Sequence, residues 1–139
     1  MAWSLDNYER YIYSVQNLSP CIQASTLVLI RYGKSVADVE GTVLFETDLS
    51  LEVYEHLNFI SDAFILMYGY VIKKDAAVVY RYDSQPHPND PTLQFTHAHH
   101  KHIHSDIKHH RIPAPGLSFS EPNLTFLIRE IASEFFANR

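Results

Sequence analysis

Over residues 22–83 apolar and polar side chains alternate with a period of two, and β-branched and aromatic residues dominate. Only an extended strand puts every second side chain on one face, so this stretch reads as a half-buried sheet. It divides into five strands, at about 22–32, 36–47, 51–60, 63–73 and 76–83. The joints between them are Gly33-Lys34-Ser35, Asp48-Leu49-Ser50, Ser61-Asp62 and Lys74-Asp75, all short and polar. Joints that short leave no room for a crossover helix, so neighbouring strands run antiparallel and the economical topology is a meander. Gly41 and Gly69, inside strands, are expected to mark bulges or close backbone approach.

Helical periodicity brackets this region. Tyr8, Tyr11, Ile12 and Val15 recur at helical spacing over residues 6–18, with Asp6 and Glu9 at capping-box distance and Ser19-Pro20 as the stop. Ser120 is the expected N-cap of a final helix over 120–138, with Glu121 and Pro122 in its first turn. Its apolar face is Leu124, Leu127, Ile128, Ile131 and Phe135, each contributing about 1.5–3 kcal/mol when fully buried. Residues 84–115, broken by five prolines, read as an irregular histidine-rich loop. The expected fold is α+β: a curved antiparallel meander sheet of about five strands, an N-terminal and a C-terminal helix, and a His-rich loop before the last helix. A chain of 139 residues that is 46% apolar suits a single domain with a real core.

Several classes are unfavourable. The longest apolar run, residues 63–72, is half of what a bilayer span needs, and the first residues lack the basic and apolar regions of a signal peptide. One cysteine, Cys21, forms no disulfide framework and no Cys-rich zinc module. The expected location is cytoplasmic. A formal charge of −5 argues against a generic polyanion binder, yet nine histidines stand against 11 Lys and Arg, so their protonation reverses the sign. Charge is also segregated. Seven acids and no Lys or Arg lie between residues 38 and 62, most simply a solvated face, whereas residues 73–111 carry six bases and eight histidines.

The stretch suited to chemistry is Arg81-Tyr82-Asp83-Ser84-Gln85-Pro86-His87, followed by His97-Ala98-His99-His100-Lys101-His102-Ile103-His104. Arg81 offers a planar fork for phosphate, and Asp83 can fix the tautomer of an imidazole. His87 with His99, His100 or His102 supplies an acid–base pair near neutral pH. One base for a 2′-OH, one acid for the leaving oxygen and one cation for the phosphorane suffice for metal-independent RNA cleavage. Lys101, Tyr68 and Tyr70 are candidate substrate contacts, although Tyr68-x-Tyr70 and Tyr80-x-Tyr82 equally suit sheet packing. The reaction needs no cofactor. The competing reading is a divalent metal site of His97, His100, His102 and His104, or two imidazoles with Asp83, although no established metalloprotein spacing is present. Arg81 and Asp83 could equally form a structural ion pair; His56 reads as structural, and His109 and His110 as solvated.

Tyr68-x-Tyr70, Arg81-x-Asp83, Pro86-His87 and His99-His100-Lys101-His102, in that order over residues 63–135, resemble the TumE family of small bacterial toxins. Val71 and Ala98 depart from the family's pattern, and His97 and His104 go beyond it. The resemblance implies the toxin of a two-gene module and a cognate helix-turn-helix antitoxin as partner. The endoribonuclease reading rests on the residue chemistry, with RNA as substrate. Its alternative is a non-enzymatic, His-rich metal-binding or protein-interaction domain. The long apolar strands also suit a homodimer, and no membrane partner is expected.

Overall fold

The computed structural model describes residues 2–84, 99–103, 111–114 and 116–137; of His100 and residues 111–113 it describes the backbone alone. Helix α1, Leu5–Tyr13, is followed by a short 3-10 turn, Val15–Leu18. Strands β1 (Ile22–Ser25), β2 (Val28–Arg31), β3 (Val36–Phe45), β4 (Leu49–Asn58), β5 (Ile65–Lys74) and β6 (Ala77–Asp83) come next. Two short strands, β7 (His100–His102) and β8 (Arg111–Pro113), precede helix α2, Leu124–Phe136. The sheet is antiparallel, ordered β1-β3-β4-β5-β6-β7-β8, with β2 also paired to β3. The expected α+β meander is present with more strands than the five expected.

Two differences account for the additional strands. The first expected strand splits because both halves lie along β3, β1 against its end and β2 against its start. At the break the chain crosses Gly41, whose φ is +139°; a Cβ there would meet the Thr26 carbonyl oxygen at 2.6 Å. Gly41 thus marks a close approach, whereas Gly69 pairs in regular register with Tyr54 and Asp83 and has open space around it. Second, part of the expected loop joins the sheet, with His100–His102 laid along β6. Three residues reading His-Lys-His carry no strand propensity; the unpaired edge of β6 recruits them.

Both helices pack on one sheet face. Leu51, Val53, Glu55 and Leu57 of β4 alternate inward, as do Tyr68, Tyr70 and Ile72 of β5 and Tyr80 and Tyr82 of β6. Leu5, Tyr8 and Ile12 of α1 and Leu124, Leu127, Ile128 and Ile131 of α2 close over them. The N-cap of α1 is Ser4, not Asp6: Ser4 Oγ accepts from the Asn7 N–H, and Asn7 Oδ1 accepts from the Ser4 N–H. Asp6 and Glu9 instead bind Arg31, at 2.8 and 3.0 Å. Ser120 does not cap α2. Asn123 holds that position, its side chain turned back to the Ser118 backbone and to Tyr70. The β5–β6 hairpin turns through Asp75 and Ala76, both at positive φ as a type I′ turn requires.

Candidate functional site

The period of two sorts the candidate residues onto opposite faces. β7 pairs with β6 in the register Arg81↔His102, Tyr82↔Lys101 and Asp83↔His100. Directly opposed residues share a face, so Arg81 and His102 lie together on the face away from the helices, with Asp83 two positions from Arg81. His102 Nε2 is 2.9 Å from Asp83 Oδ2, and the imidazole is only 1% exposed. Arg81 has its Nε buried without a hydrogen-bond partner among the described residues. A guanidinium donor left over beside a carboxylate–imidazole pair is an arrangement that can receive an anionic oxygen and a proton.

His99, one residue before β7, goes to the helix-covered face. Its Nδ1 is 2.5 Å from the Tyr68 hydroxyl, its ring lies 10° from parallel to that of Tyr68, and Phe119 covers it at a centroid distance of 4.6 Å. Burial pushes the Tyr68 phenol well above its ordinary value, and the negative charge of Asp83 adds to this. The phenol therefore stays protonated, and Nδ1 is the one acceptor it has among the described residues. It donates there, which puts the proton of a neutral His99 on Nε2. Burial lowers the His99 pKa, which favours that neutral form.

Lys101 also faces the helices. Its Nζ sits 3.6 Å from Glu130 Oε1 of α2 and 4.3 Å from the Tyr80 ring centroid, while the Tyr82 hydroxyl donates to both Glu130 oxygens at 2.7 and 2.9 Å. Tyr68 and Tyr70 stack on each other at 5.0 Å and are buried. His87, His97, His104, His109 and His110 lie outside the described residues, as does the side chain of His100. Among the described residues no three His, Cys, Asp or Glu side chains come together as a metal site. His56 bonds Asp38 across β3 and β4 at 2.5 Å.

One group was hidden by its neighbours in the sequence. Glu55, among the seven acids expected to be solvated, is wholly buried. Tyr8 of α1 donates to its Oε1 at 2.6 Å and Tyr70 of β5 to its Oε2 at 2.5 Å. Asn123 Nδ2 in turn donates to the Tyr70 oxygen at 3.1 Å. No cation is among these partners. Burial raises the Glu55 pKa, with the two phenol hydrogen bonds opposing that shift. Both phenols are raised well above their ordinary value, by burial first and then by the Glu55 charge. The available signal was phase: position 55 shares the inward register of Leu51, Val53 and Leu57.

The family model of Toxin TumE matches residues 12–135, so the likeness extends well before the tyrosine and histidine motifs. No curated protein and no solved structure matches the chain. No helix among the described residues is long and apolar enough to cross a membrane.

Proposed function

The chain belongs to the TumE toxin family and is the toxin component of a toxin–antitoxin module, and from that premise we propose that it is a metal-independent endoribonuclease acting in the cytoplasm. The observation that carries this reading is the buried Arg81 Nε, without a hydrogen-bond partner among the described residues, beside the Asp83–His102 pair. In this reading Arg81 receives a phosphate oxygen, Asp83 orients His102, and His102 moves a proton at the 2′-hydroxyl. The second proton-transfer group is His87 or His100, since His99 lies across the sheet against Tyr68. A helix-turn-helix antitoxin is the expected neutralising partner.

Incubation of the purified toxin with total RNA in EDTA tests the proposal. Discrete cleavage is expected, reduced at least about 100-fold in Arg81→Ala and His102→Gln, the usual worth of a proton-transfer or charge-stabilising group. Intact RNA with wild-type toxin that still arrests growth would overturn it. The near-complete burial of His102 favours one other reading, in which the Asp83–His102 pair braces β7 and the toxin acts by binding a protein. Under that reading His102→Gln lowers the unfolding temperature and the wild type cleaves nothing.

A further inference from the structure

Trp3 divides a groove on the helical side of the molecule. Its ring is held edge-on against Tyr8 at 5.7 Å and Tyr11 at 5.5 Å, yet remains half-exposed. On one side is a cavity of about 470 Å³ lined by Trp3, Asn7, Arg10 and Tyr11. On the other is one of about 240 Å³ lined by Trp3, Asp62, Ser120 and Glu121.

The two ends carry opposite charge. Arg10 is exposed and forms no ion pair among the described residues, because Arg31 already occupies both acids of its own helix, Asp6 and Glu9; only the longer-range field of Asp6 reaches it. Arg129, exposed one turn beyond the Thr125 that bonds Tyr11, adds a second guanidinium near that end. At the far end Asp62 and Glu121 are exposed, and neither meets a Lys or Arg within ion-pair distance among the described residues; Glu121 accepts a long 3.4 Å bond from Trp3 Nε1. The centre is the aromatic surface of Trp3 and Tyr11.

We infer that this groove docks a segment of the antitoxin that presents, in order, an acidic side chain to Arg10, an apolar or aromatic side chain against Trp3, and a basic side chain to Asp62 and Glu121. Burying an aromatic anchor between two charge-matched ends is the usual anatomy of a specific protein contact. A nucleic-acid strand fits poorly, because its phosphates would repeat past the two carboxylates. The inference rests on the family's antitoxin partner and not on ribonuclease chemistry. It sits on the helical layer, across the sheet from Arg81 and His102.

The test measures binding of the purified antitoxin of the same module to full-length toxin by calorimetry, with growth rescue by co-expressed antitoxin in parallel. Arg10→Glu and Glu121→Lys are each expected to weaken binding about tenfold, the effect growing at low salt, and to abolish rescue. Toxicity without antitoxin and the unfolding temperature stay at wild-type values, since both residues are exposed. Glu40→Lys, an exposed acid on the opposite sheet face, leaves affinity within about twofold. Wild-type affinity in both groove variants overturns the inference. So does a loss in Glu40→Lys alone, or a fall in single-stranded RNA binding by Arg10→Glu with antitoxin affinity intact.

Discussion

Glu55 and Asp83 are both carboxylates on long strands of one sheet, two strands apart, and their surroundings are opposite. Beneath the helices, each Glu55 oxygen accepts a hydrogen bond from a phenol, and the second phenol is fixed by Asn123 at the start of α2. On the face away from the helices Asp83 meets a buried imidazole, and the Nε of the neighbouring guanidinium has no hydrogen-bond partner among the described residues. A satisfied buried network ties elements together, whereas a buried donor without a protein partner is one that a ligand can occupy. The proposed function gives structural work to one face and chemistry to the other.

Removing Glu55 is expected to have the largest effect on folding. Glu55→Ala leaves the Tyr8 and Tyr70 hydroxyls buried without an acceptor, at about 1–3 kcal/mol each, and opens a cavity among α1, β4, β5 and α2. Urea denaturation should show a loss of about 3–5 kcal/mol, and soluble yield should fall. A loss below about 1 kcal/mol would mean that the network does not join the helices to the sheet.

Asp83→Asn should cost less in stability and more in function. It keeps the shape and one acceptor oxygen for His102, so a loss of about 1–2 kcal/mol is expected, while growth arrest on induction falls sharply. Equal toxicity with lower stability would reverse the assignment of the two faces.

Most of this frame was legible in the sequence. Alternation over residues 36–83 and the helical spacing of Leu124, Leu127, Ile128 and Ile131 are local signals that burial reinforces. Residues 100–102 were illegible as a strand because His-Lys-His has no intrinsic preference and pairs only because β6 offers an edge. The dispersal of the histidine cluster follows from the same pairing: once residues 100–102 extend along β6, Lys101 and His102 must point to opposite faces. His99 escapes the ladder and turns to Tyr68. The resemblance read from residues 63–135 fell short of residue 12, where the family match begins, because strands without polar motifs look alike. Glu55 was read by charge when its register already placed it inward.

The smallest expected effect is the most discriminating, because Glu55 and His99, both on the helix-covered face, respond to acid in opposite directions. Burial raises the Glu55 pKa in the folded state, so its contribution is fully present below the unfolded value of about 4.3 and is lost as pH rises through the folded value. Burial lowers the His99 pKa, so its contribution is present above about 6.5 and is lost as pH falls through the folded value. In the wild type the two contributions therefore run in opposite directions with pH. Glu55→Gln keeps a polar partner for Tyr8 and Tyr70 and removes one slope, so the variant should lose stability relative to wild type as pH falls. His99→Gln should do the reverse, losing stability relative to wild type as pH rises. Neither difference can exceed about 1.4 kcal/mol per pH unit, the limit for one proton. Urea midpoints at half-unit steps from pH 4 to 8 resolve it. Parallel curves for wild type and Glu55→Gln would mean that the carboxylate titrates as it does in water, and the covered face would then lose its claim to be the closed one.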